Sequence, residues 1–262
     1  MQSSRFPAWR LPILVGLLLA MGQGVAPSVA WADEPDDLDM GFPTTLTDPV
    51  VEEPGSVELQ TAAQYDRRHR HDTFLLTPQI QVGAARNLQL TLGVPYTVGS
   101  GQDANQGDLD LSALYRLNEE TRLLPSFGLQ LDATSPIGPG DRSTEVQLTG
   151  IAMRTVDPQG RKRVHLNLTW MHRFDPDMTE RAERYRAVVG YSQLLAQDWA
   201  LVLDALHQSE ERHEHDSNIL EAGLRYRVND DVVVGLGGGR GFGHDATHAR
   251  VLLSLQITLH DG

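Results

Sequence analysis

The sequence predicts an all-β protein: a transmembrane, antiparallel, up-and-down β-barrel of about 12 strands, preceded by a signal peptide and a short acidic tail. Three observations carry this. Apolar and polar residues alternate with period two in successive runs. The joins between runs alternate between short turns and longer or strongly polar loops. Aromatic residues gather toward the ends of the apolar faces.

Domains are expected as residues 1–32, 33–55 and 56–262. In the first, Arg5 and Arg10 precede the apolar run Leu11–Met21, and Ala30-Trp31-Ala32 supplies small residues for a peptidase. The run is too short for a spanning helix, so it reads as a secretory leader. Residues 33–55 hold eight acids, no base, and Pro35, Pro43, Pro49 and Pro54. That composition reads as an extended, solvated periplasmic tail. The alternative is that Phe42–Pro54 tucks into a pore as a plug.

From Ser56 the alternation begins, with Val57, Leu59, Thr61, Ala63 and Tyr65 on one face and Glu58, Gln60 and Gln64 on the other. Further apolar faces follow at Phe74–Val82, Leu88–Tyr96, Leu109–Tyr115, Leu123–Leu131 and Val146–Ala152. The later ones are Val164–Phe174, Tyr185–Tyr191, Trp199–Ala205, Leu220–Val228, Val232–Gly238 and Val251–Leu259. Runs of roughly ten residues suit tilted strands crossing a bilayer. The joins Ala84–Asn87, Asn118–Arg122, Asp157–Arg163, Leu195–Asp198 and Asn229–Asp231 are turn-like. They alternate with longer ones at 66–72, 98–107, 135–144, 175–184, 208–217 and 239–247, as in a barrel with tight periplasmic turns and longer outside loops. Tyr65, Phe74, Tyr96, Phe174 and Tyr185 fall near the outer strand ends; Tyr115, Tyr191, Trp199 and Tyr226 fall near the periplasmic ends. Two such girdles bracket a hydrocarbon layer. Pro78, Pro95 and Pro125 lie inside runs and imply irregular pairing, because proline lacks the ladder donor.

Composition excludes several classes. A formal charge of −13 argues against nucleic acid. The absence of cysteine removes disulfides, thiolate metal sites and thiol nucleophiles.

Leu76–Gly83 (LTPQIQVG), Gln89–Tyr96 (QLTLGVPY) and Gly223–Gly241, closing on Gln256-Ile257-Thr258-Leu259, resemble the bacterial outer-membrane family labelled putative MetA-pathway of phenol degradation. That family is grouped with transporter barrels of the FadL and TodX type. The resemblance spans roughly Pro43–Leu259. It implies a Gram-negative outer-membrane location and passage of small hydrophobic or aromatic compounds, and it transfers no catalytic residue. Two features depart from it. Residues 33–55 are shorter than the N-terminal hatch of FadL-type barrels, and the chain ends Leu259-His260-Asp261-Gly262 without a terminal aromatic.

If the apolar face meets lipid, the polar face lines a lumen. The candidates are Glu58, Asp110, Arg116, Asp132, Glu145, His165, Arg173, Arg184, Arg186, Asp204, Glu221, Arg225, Arg227 and Arg250. They read either as salt bridges that stiffen a small barrel or as a selectivity lining. His69, His71, His213, His215, His244 and His248 sit in predicted outside loops; metal binding there is the minor reading and hydrated loops the major one. His215-Asp216-Ser217-Asn218 resembles strings in outer-membrane acyl hydrolases. It lies at a loop-to-strand join with no following glycine, so no catalytic residue is assigned. Gly235–Gly243 (GLGGGRGFG) lacks the strand–loop–helix setting of a phosphate loop and reads as a place of close packing. No cofactor is expected. The expected partners are outer-membrane lipid, a small-molecule substrate and the outer-membrane assembly machinery. The leading expectation is a channel or transporter; a non-conducting structural or surface-binding barrel comes next, and a lipid esterase last.

Overall fold

The structure is a computed structural model that describes residues 43–68, 72–100, 106–137, 143–210, 216–243 and 247–260. The leader, the acids of residues 33–42, and His69, His71, His213, His215 and His244 lie outside the described residues.

The strands run in chain order. They are β1 (Val57–Arg67), β2 (Asp72–Ala85), β3 (Leu88–Gly93), β4 (Tyr96–Gly99), β5 (Gln106–Asn118), β6 (Ser126–Ile137), β7 (Glu145–Thr155), β8 (Lys162–Arg173), β9 (Glu183–Ala196), β10 (Trp199–Gln208), β11 (Ser217–Asn229), β12 (Val232–Phe242) and β13 (Ala249–His260). Apart from β3 and β4, consecutive strands pair antiparallel, and β1 pairs with both β2 and β13, so the sheet closes on itself. β3 and β4 are two halves of one crossing, since both pair with β2 on one side and β5 on the other. The result is a closed antiparallel barrel of 12 crossings. Among the described residues no helix is long and apolar enough to cross a membrane.

Closure has a physical reason. An open sheet leaves backbone donors and acceptors without partners, at several kcal/mol each in hydrocarbon, and a barrel leaves none. The break in the third crossing shows the same requirement. Pro78 cannot donate to a ladder, and it stands opposite Val94 and Pro95, where β3 gives way to β4. The β1–β2 register runs on through Thr61 and Pro78 without a shift. On the broken side the Val94 N–H donates to Pro78 O at 3.0 Å, and the Asp108 N–H donates to Pro95 O at 2.9 Å. Pro125 is outside the sheet altogether: β6 begins at Ser126, and Leu123 and Leu124 belong to the turn rather than to the strand predicted for them. That 119–125 connection is longer than the 100–105 one before it and as long as the 138–144 one after it, so the short–long alternation of the joins fails there.

Period-two alternation settles which residues face out. In β11, Ser217, Ile219, Glu221, Gly223 and Arg225 are buried inside, and Leu220, Ala222 and Leu224 are exposed outside. The outer surface carries aliphatics such as Leu90, Leu111, Leu168, Leu220, Leu236 and Leu253. Tyr65 and Phe74 are cross-strand partners near the long-loop end. Trp199 and Tyr226 meet at the short-turn end with ring centroids 4.6 Å apart. This is a surface shaped to be solvated by lipid, with amphipathic rings at its two margins.

The expectation of a solvated tail is overturned from Pro43 onward. Pro43, Thr44, Leu46, Asp48, Pro49, Val51 and Glu52 are buried, because the chain from Pro43 to Glu53 lies inside the barrel. The alternative reading, a plug, describes it. Composition misled here: prolines and acids resist regular structure, but they do not prevent an extended segment from filling a preformed polar lumen.

Candidate functional site

The tail is held by shape first. Inward glycines on the wall leave sockets for it. A Cβ on Gly83 would stand 1.8 Å from Glu53 O, one on Gly190 2.6 Å from Leu46 Cδ1, and one on Gly237 1.9 Å from Pro43 O. Pro43 also occupies the space over Gly223 and Gly235. The glycine run of β12 therefore packs closely, as its sequence suggests, and its neighbour is the chain's own N-terminal segment. Leu46 completes a small apolar cluster with Val188, Val202, Leu206 and Ile219, and Val51 joins Leu114 and Ile151.

The backbone of the tail is satisfied by wall side chains, as buried peptide groups must be. Thr45 N–H donates to Glu221 Oε2 at 2.6 Å and Glu52 N–H to Gln89 Oε1 at 3.1 Å. Asn167 accepts from Thr47 N–H at 3.0 Å and donates to Thr47 O at 2.7 Å. Within the tail, Asp48 Oδ1 accepts from Val50 N–H at 2.8 Å. Burial nonetheless raises the Asp48 carboxyl to about 7, against that hydrogen bond and the nearby Arg225.

The charged residues singled out in the sequence sort into clusters. Arg250 reaches Asp66 through Nε at 2.7 Å and Nη2 at 2.8 Å, and Glu221 through Nη1 at 2.8 Å. Glu145 sits between Arg173, at 3.1 Å, and Arg184. Arg225 donates to Gln256, which donates to Glu58 at 2.5 Å. Asp204 is buried and stands in register with Glu221 on the adjacent strand. Arg116 lies near the short-turn end against Asn87 at 3.3 Å, and Arg227 is on the same end of β11. His165 is buried, with Nε2 2.9 Å from Ser192 Oγ. Asp110, Asp132 and Arg186 line a cavity.

That cavity has a volume of about 360 Å³ and lies inside the barrel. Tail residues Thr45–Asp48 and Val50 form one wall, and β1–β3 and β5–β9 form the others. Its lining is mostly amides and hydroxyls, which sequence reasoning passed over because it looked for charge. Gln60 Oε1 accepts from Gln79 at 2.8 Å and Gln81 at 3.0 Å, and Gln81 Oε1 accepts from Gln89 at 3.1 Å. This ladder ends on the tail at Glu52. The signal for it was present in the sequence: glutamines recur on the polar parity of adjacent strands.

Two other motifs resolve differently. Ser217 is 1% exposed and points inward, while Asn218 and His207 are exposed on the outer face, Nδ1 to Oδ1 3.0 Å apart. The hydroxyl and that imidazole are on opposite sides of the sheet, and His215 lies outside the described residues. Among the described residues no group of His, Asp and Glu is arranged to hold a metal ion.

No protein-family model matches the chain, and no curated protein matches it in sequence. Solved structures match in fold. One titled "KdgM porin in complex with disordered oligogalacturonate" superposes with a TM-score of 0.56 at 11% identity, over 78% of this chain and 99% of that one. The NanC porin gives 0.53 at 8% identity, over 77% and 99%. The translocator domain of the autotransporter NalP from Neisseria meningitidis gives 0.50 at 14% identity, over 77% and 87%. At such identities the likeness shows fold alone: the chain has the architecture of outer-membrane β-barrels.

Proposed function

We propose that the protein is an outer-membrane channel for passive movement of small solutes, with residues 43–55 as an internal constriction. Export by the leader at residues 1–32, assembly by the outer-membrane machinery and a Gram-negative source belong to this reading. The observation that carries it is the polar cavity beside the tail. A barrel filled only for rigidity gains nothing from eighteen hydrogen-bonding side chains lining a cavity. The cost of burying such groups is tolerated where water or a solute meets them. Membership of the MetA-pathway family would suggest hydrophobic or aromatic cargo. The cavity lining supports a polar solute better, since among the described residues no aromatic side chain is part of it. Ser217, turned into the lumen, gives an esterase no support.

The test is single-channel recording in planar bilayers with the full chain and with a chain lacking residues 43–55. Larger current steps on deletion are expected. Silence from both proteins would refute the channel and leave the non-conducting barrel, which the glycine sockets under the tail would then explain.

A further inference from the structure

We infer that the lumen cavity recognises a small zwitterion of the amino-acid or short-peptide kind, an inference that deepens the channel reading and rests on it. Arg186 holds the carboxylate, and Asp110 holds the ammonium.

Arg186, on β9, is the one basic side chain lining the cavity among the described residues. Its Nε is shielded from solvent and has no hydrogen-bond partner. The acids that act on it, Glu145 and Asp132, do so from a distance. Neither makes a hydrogen bond with it. Glu145 is held by Arg173 and Arg184. Asp132 Oδ1 accepts from Gln130 at 2.7 Å. A half-buried guanidinium without a close anion is poorly satisfied, and a ligand carboxylate in bidentate contact would satisfy it.

Asp110, on β5, is the complementary group. Its Oδ1 is shielded and has no hydrogen-bond partner, while Thr134 is within hydrogen-bonding reach of the carboxyl. Both Asp110 and Arg186 line the same cavity, yet they form no ion pair with each other. Opposite charges lining one cavity, with neutral donors and acceptors around them, match a molecule that carries both charges. A purely anionic solute would meet Asp110 and Asp132; a purely cationic one would meet Arg186. A neutral polyol could hydrogen-bond to both groups but would bring a compensating charge to neither. The volume of about 360 Å³ suits a molecule of dipeptide size.

The test is titration calorimetry of the full chain in detergent micelles at neutral pH with three probes of similar size. They are dialanine, N-acetyl-dialanine, which lacks the ammonium, and dialanine amide, which lacks the carboxylate. Dialanine should bind at least about tenfold more tightly than either derivative, since each loses one charge-assisted contact. Arg186→Gln should weaken dialanine and N-acetyl-dialanine by about tenfold and leave the amide unchanged; Asp110→Asn should do the reverse for the amide. Equal binding of all three probes by the wild type, or binding of none, overturns the inference without any variant. Variants are compared only if they keep the gel shift of a folded barrel. Current in bilayers together with equal binding of the three probes sinks the zwitterion and spares the channel. Dialanine binding with no current from full or shortened chain sinks the channel and spares the site.

Discussion

Asn167 grips the peptide unit of Thr47 at both ends, accepting from its N–H at 3.0 Å and donating to its carbonyl at 2.7 Å. One wall side chain thus satisfies two backbone groups of the tail in mid-barrel. Leaving them without partners costs about 1–3 kcal/mol per group. Asn167→Ala should therefore free the tail while the barrel stays closed. Limited proteolysis followed by mass spectrometry of the N-terminal fragments should show faster cleavage between residues 43 and 55. An unchanged cleavage rate would mean that the sockets alone hold the tail.

Gly237 tests the sockets. A methyl there would collide with Pro43 O at 1.9 Å, whereas one on Gly238 would meet only Arg250 O at 3.4 Å. Gly237→Ala should displace the tail and raise bilayer current; Gly238→Ala should leave the current at the wild-type level. Indistinguishable currents from the two variants would contradict the seating described above.

Arg250 bridges Asp66 and Glu221, which are even more buried than it is. Arg250→Gln strands two carboxylates, a loss of about 3–5 kcal/mol where a buried pair is broken from one side. The temperature at which the barrel loses its compact form on a gel should fall clearly. Asp66→Asn, which keeps the Glu221 contact, should lower it less. The opposite order would place the stabilisation elsewhere.

Asp48 makes tail seating depend on pH. Its carboxyl is raised from 3.8 to about 7, by desolvation first; of its charged neighbours, Arg225 opposes the rise and Glu52 adds to it. A raised acid is protonated in the seated state, so seating is fully favoured below about pH 4. It weakens as pH climbs through about 7, where the seated form must carry a buried charge. Current should therefore be lower at pH 5 than at pH 8, and Asp48→Asn should remove that difference. A current that falls with rising pH in the wild type would reverse the assignment.

The barrel was legible in the chain because its determinants are local. Leu220, Leu224 and Leu253 could be assigned to the outer face from parity alone, and so could Glu221 and Arg225 to the inner. The break at Val94–Pro95 was legible because proline cannot donate. The course of the tail was not legible, since its partners are remote: Thr47 meets Asn167 across 120 residues, and Thr45 meets Glu221 across 176. No periodicity records such contacts. Nor does it show which polar residues converge: the shared parity of the glutamines was legible, but their bonding to one another and the place of Arg186 beside them were not.

By itself, then, the sequence determined a closed barrel with a lipid-facing belt, since a two-residue period and hydrocarbon's intolerance of open backbone admit little else. Only the tertiary structure decided that Pro43–Glu53 lies within the barrel, that glycines make room for it, and that Arg186 and Asp110 share a cavity without pairing. Those outcomes depend on volume and distance across the lumen, which closure of the sheet creates and no single strand contains.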